Sequence, residues 1–65
     1  MHLVQDSHPQ AMTVAEAMTA LRLSRSKVYD LLRSGQLRSF TVGRARRIPA
    51  DEITRFMNEN MQEAA

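Results

Sequence analysis

Two short helical signals stand only about three residues apart in the first half of this chain, and few folds accommodate that spacing. Thr13 followed three residues later by Glu16 is a capping box, in which each side chain satisfies a backbone N–H that a helix start leaves without a partner. Val14, Ala17, Met18 and Leu21 then fall at i, i+3, i+4 and i+7, one apolar stripe on one helical face. The helix should stop near Arg22, because Leu23 supplies an apolar plug and Ser24 a fresh N-cap. The spacing predicts a second helix from about Arg25 to Ser34, ended by Gly35, a residue free to adopt the left-handed conformation. Two helices joined this tightly form a helix-turn-helix. At about 100° per residue, Val28, Leu31 and Leu32 cluster on the core side. Ser26, Asp30 and Arg33 then point outward, Lys27 and Tyr29 flank them, and Arg25 sits in the first turn.

Past Gly35 the period becomes two. Phe40 and Val42 alternate with Ser39 and Thr41, which predicts a strand ending at Gly43, a turn at Gly43-Arg44-Ala45 and a return strand through Arg46, Arg47 and Ile48. Pro49 ends that strand. Asp51 and Glu52 fall in the first turn of a third helix, where they complement its dipole, and capping alone accounts for both acids at this stage. Ile53, Phe56, Met57 and Met61 follow at helical spacing as its core side, with Met61 also placed to serve a partner surface. The expected organisation is a flexible tail over 1–11, one domain over 12–61 and a flexible end over 62–65. The fold class is mainly α with a small β-hairpin.

The chain has 65 residues and no cysteine, so its single core holds without disulfides, and thiolate zinc sites and a Cys nucleophile are excluded. No apolar run approaches the roughly 18 residues of a membrane span, and the start does not read as a signal peptide. A soluble, reducing, cytoplasmic setting is expected. Both histidines, His2 and His8, fall in the tail, and the folded part offers no close acidic pair in a concave basic setting, so no catalysis, metal or cofactor is expected.

Charge is strongly segregated. Residues 22–47 carry Arg22, Arg25, Lys27, Arg33, Arg38, Arg44, Arg46 and Arg47 against the single acid Asp30. Elsewhere Arg55 stands alone against Asp6, Glu16, Asp51, Glu52, Glu59 and Glu63. A basic middle with acidic flanks is the footprint of a polyanion-binding face. On the second helix, arginine can pair with guanine, Asp30 can accept from the cytosine amino group and Ser26 can do either. Three arginines around one hairpin turn suit a sugar-phosphate backbone or the negative potential of a minor groove.

The run Met12-Thr13-Val14-Ala15-Glu16-Ala17, then Leu23-Ser24-Arg25-Ser26-Lys27-Val28-Tyr29, Leu32-Arg33-Ser34-Gly35-Gln36-Leu37, Val42-Gly43-Arg44 and Arg47-Ile48-Pro49 resembles the excisionase-type winged helix-turn-helix, a relative of the MerR DNA-binding domain. The resemblance spans about residues 12–58. It implies a helix-helix-hairpin wing-helix order, with the second helix in the major groove of double-stranded DNA. Ser26, Lys27 and Asp30 would form the reading face, Arg25 and Tyr29 would support backbone contacts, and Arg44 would be the wing tip at the minor groove. Many relatives have an aromatic residue where Arg46 stands, so the return strand here is either less anchored or more phosphate-directed. The candidate interface is Arg25, Ser26, Lys27, Tyr29, Asp30, Arg33, Arg44, Arg46 and Arg47. Excisionases resemble architectural factors: several copies bind neighbouring repeats, bend attachment-site DNA and assist a partner integrase without catalysing anything themselves. Small MerR-like regulators of mobile-element genes share the fold. A reading of a different class is a protein-interaction module, with the acidic third helix as the binding surface.

Overall fold

The computed structural model describes residues 10–64; His2, His8 and the rest of the expected tail up to residue 9 lie outside the described residues, as does Ala65. The elements run β1 (Ala11–Met12), α1 (Val14–Leu21), α2 (Arg25–Ser34), β2 (Phe40–Val42), β3 (Ala45–Pro49) and α3 (Ala50–Ala64). Helices dominate, and one small antiparallel sheet of order β1-β3-β2 completes a winged helix-turn-helix.

Local chemistry sets the helix ends. Thr13 Oγ1 accepts the Glu16 N–H at 3.0 Å while Glu16 Oε1 accepts the Thr13 N–H at 2.9 Å, so the capping box is complete. α1 ends on Arg22, whose φ of +57° is left-handed, and the Leu23 N–H reaches back to the Met18 carbonyl at 3.1 Å. A glycine usually occupies such a position, since a side chain there costs about 1 kcal/mol. Ser24 Oγ accepts the Lys27 N–H at 3.2 Å and starts α2, which Gly35 ends at φ +84°. The three residues Arg22-Leu23-Ser24 therefore close one helix and open the next.

Three parts of the expected organisation differ. Ala11 belongs to β1 and not to a tail: it stands opposite Pro49, Met12 stands opposite Ile48, and the Gln10 carbonyl accepts the Ala50 N–H at 2.7 Å. The hairpin turn is also tighter than expected. Val42 pairs with Ala45, which leaves Gly43 and Arg44 as a two-residue turn with Gly43 first at φ +61°, the glycine position of a type II′ hairpin. Ala45 thus begins β3, and α3 extends through Ala64, past the expected limit at residue 61.

The core is formed by Val14 and Ala17 of α1, Val28 and Leu31 of α2, Leu37 of the following loop, Ile48 of β3 and Ile53 of α3. Met18, Leu21, Leu32 and Phe56 are half-buried against it, as their helical spacing predicts. Met57 and Met61, read as core, are instead exposed, at 40% and 67%. They lie on the later turns of α3, where with Leu21 and Leu23 they line a groove open to solvent.

Candidate nucleic-acid interface

The first turn of α2 presents three neighbouring polar side chains. Arg25, Ser26 and Lys27 are all exposed just after the Ser24 cap, where the helix dipole adds positive potential. Asp30 and Arg33 are also exposed, one turn further along, and they form an ion pair across i, i+3. Asp30 is thus already engaged in the free protein, which the residue pattern alone did not reveal. Tyr29, expected on the flank of the outward face, is half-buried and packs in part against the core.

The hairpin holds the remaining candidates. Arg44 is exposed in the turn beside Gly43. Arg46 stands opposite Thr41 and donates from Nη1 to Ser39 Oγ at 2.6 Å, so its guanidinium ties β3 to the residue that leads into β2. Arg47 is half-buried opposite Phe40, and its Nη1 donates to the Arg46 carbonyl at 2.9 Å. Arg46 therefore braces the return strand, which its departure from the resembled pattern had left either less anchored or more phosphate-directed. The nine candidates fall into two groups, one on α2, which packs on α1, and one on the hairpin, which packs on α1 and α3 through β3.

Sequence reasoning missed the group that fastens α3 to the loop after α2. Glu52, read as a helix cap only, is buried, at 8% exposure. Its Oε2 accepts the Arg38 N–H at 2.9 Å, and its carboxylate pairs with Arg55, whose Nε lies 3.1 Å from Oε1. Arg55 Nη2 also donates to the Gln36 carbonyl at 2.9 Å, and Nη1 lies 2.8 Å from Glu59. Hydrogen bonding from Arg55, aided by the Arg38 amide, holds the Glu52 carboxyl below the usual carboxylate range against the opposing effect of burial. The same contacts with Glu52 and Glu59 raise the Arg55 guanidinium. A charge-bearing helix pinned to residues 36–38 fixes the chain where it leaves α2 and enters the wing. The signal available in sequence was the Glu52–Arg55 spacing of three.

A second feature is apolar. Leu21, Leu23, Leu31, Phe56, Met57 and Met61 line a shallow groove of about 480 Å³, with Lys27 and Asn60 at its edge. Among the described residues no cluster of His, Cys, Asp or Glu is arranged to hold a metal ion. No described helix is long and apolar enough to cross a membrane.

The family model described as a helix-turn-helix domain matches residues 11–61. An excisionase of Streptomyces ambofaciens is 43% identical over 56 residues, covering 86% of this chain and 90% of that protein. The chain belongs to the excisionase family of DNA-binding proteins. A second relative, named "Probable excisionase" in Saccharopolyspora erythraea, is 48% identical over 42 residues, covering 65% of this chain and 43% of that longer protein. No solved structure gives a significant match. As an excisionase, the chain couples its helix-turn-helix to a wing whose tip carries one exposed arginine.

Proposed function

We propose that this excisionase is an architectural factor that binds repeated sites in double-stranded DNA, bends attachment-site DNA and assists a partner integrase in excisive recombination, without catalysis or a cofactor of its own. It would act in the cytoplasm of a bacterial cell, bound to DNA. The observation that carries this reading is the division of exposed cations between a helix start, Arg25 and Lys27, and a hairpin tip, Arg44. A helix fits the major groove, about 12 Å wide, while a single arginine fits the narrower minor groove. The proposed contacts are Ser26, Lys27 and Asp30 to base edges, Arg25, Tyr29 and Arg33 to the backbone beside them, and Arg44 to the minor groove. Arg46 and Arg47 supply phosphate charge behind the tip.

The test is a titration of the purified protein into duplexes carrying the repeats beside its own gene or its element's attachment site, with affinity, salt slope and bend recorded together. Specific binding with bending supports the architectural reading. Specific binding without bending favours a small MerR-like transcriptional regulator. Binding no better than to random duplex favours the protein-interaction reading, which the exposed Met57 and Met61 keep in play and to which the structure adds exposed Phe40 and Val42.

A further inference from the structure

Every residue of β2 is exposed, although two of the three are Phe40, at 44%, and Val42, at 67%. Phe40 stands opposite Arg47 and Val42 opposite Ala45, so these four side chains share one face of the hairpin. Successive strand residues alternate faces, and Ile48, the neighbour of Arg47, is fully buried. The shared face lies on the opposite side of β3 from Ile48; on it Ala45 and Arg47 are half-buried, and Phe40 and Val42 are the exposed members. Exposed apolar side chains make an edge strand prone to pairing, and a pair of them beside a charged turn offers a surface that a partner can cover.

The surroundings select the occupant. Arg44 is exposed one residue beyond the Gly43 turn position, Arg46 lies on the other face of the same strand, and Arg47 stands beside Phe40. An apolar strip edged by guanidinium groups complements a DNA strand, in which apolar deoxyribose alternates with anionic phosphate. Val42 immediately precedes the turn, and at about 3.3 Å per residue it reaches the mouth of any groove that Arg44 enters. The minor groove of regular duplex, about 6 Å wide, takes the Arg44 side chain but not a hairpin bearing side chains on both faces, so Val42 can follow Arg44 only where the groove opens. Apolar side chains pressed into an opened minor groove are a general means of bending the duplex.

We propose that the outer face of the hairpin is a second DNA contact, in which Val42, backed by Phe40, packs on deoxyribose beside the wing tip and holds the groove open. This rests on the DNA-bending reading above, and its test separates the two. Val42→Thr keeps the branched shape that suits a strand but removes the apolar surface. On a duplex with one site, V42T should bind about fivefold more weakly and bend the duplex less, since a partly buried methyl contact is lost. The slope of log affinity against log salt should stay at the wild-type value, because no cation is removed. Val42→Ile should retain both affinity and bend, and the melting temperature of both variants should match the wild type. Wild-type affinity and bend for V42T would overturn the contact while leaving the DNA-binding reading intact. So would a loss confined to cooperativity on two adjacent sites, which would assign the face to a second copy, or a drop in melting temperature, which would show the face to be packed within the fold. A wild-type protein that binds no duplex overturns the functional reading and this contact with it.

Discussion

At the scale of single residues, two carboxylates do unlike things. Glu52 is a structural acid. Its carboxyl is held low by Arg55 and the Arg38 amide, so the stability it contributes is fully present above its ordinary value of 4.5 and is lost as pH falls through the lowered one. Glu52→Gln should cost about 2 kcal/mol at neutral pH, because a buried charge-assisted pair is replaced by a neutral one. Urea denaturation of both proteins at a series of pH values from neutral downward checks this, since protonated Glu52 resembles glutamine and the gap should shrink as pH falls below the ordinary carboxylate range; a gap independent of pH would refute the role. Asp30 is a surface acid. Its exposed pair with Arg33 adds little to stability, so its presence in an otherwise basic stretch points to discrimination between bases. Asp30→Ala should flatten base preference at one position by about 1–3 kcal/mol while binding to random duplex holds or strengthens, because Arg33 is released. Selection from a randomised site reads this directly, and an unaltered preference would leave Asp30 with no reading role.

Among the elements, the hairpin carries the sharpest expectation. Arg44 is exposed at the turn and follows a glycine whose left-handed φ the turn requires. Arg44→Ala should therefore weaken binding to all sequences alike, lower the salt slope by about one and reduce bending. Isothermal titration at several salt concentrations with a parallel bend assay decides it; unchanged slope and bend would exclude the tip from the groove. How much of each element could be read in advance follows from how local its causes are. The capping box at Thr13, the N-cap at Ser24 and the stop at Gly35 act within four residues, and both helices of the motif were legible with their boundaries. β1 was not, because two residues carry no period and pair with Pro49 and Ile48 far along the chain. Leu37 gave no signal for a similar reason: a lone leucine in a loop carries no period, and it enters the core where its N–H bonds the Leu31 carbonyl and the Glu52–Arg55 pair fastens residues 36 and 38 to α3. Of the interface, the exposed positions on α2 followed from the helical wheel. The inward packing of Tyr29 and the Arg46–Ser39 bond depended on tertiary neighbours.

For the whole molecule, size decides how it can work. A domain this small sets only a handful of cations against phosphates, and each exchange of protein cation for counterion weakens with added salt. One copy on one site should therefore be held loosely at physiological salt, and useful occupancy requires copies that assist one another. The structure has surface to spare for such contact, since Met57 and Met61 are exposed and line a groove with Leu21 and Leu23. We expect binding to two adjacent repeats to be cooperative, the second copy entering about tenfold more tightly than the first, which corresponds to a coupling of about 1.4 kcal/mol. A gel-shift titration on duplexes with one site, two adjacent sites and two sites set half a helical turn further apart measures it. Adjacent sites should fill together and the displaced pair independently, because contact between neighbours depends on their facing the same side of the duplex. Independent filling of both pairs would show that each copy acts alone. The affinity of the single domain would then have to suffice, and its salt slope, read from the one-site duplex, would show how many of the exposed arginines and lysine meet phosphate.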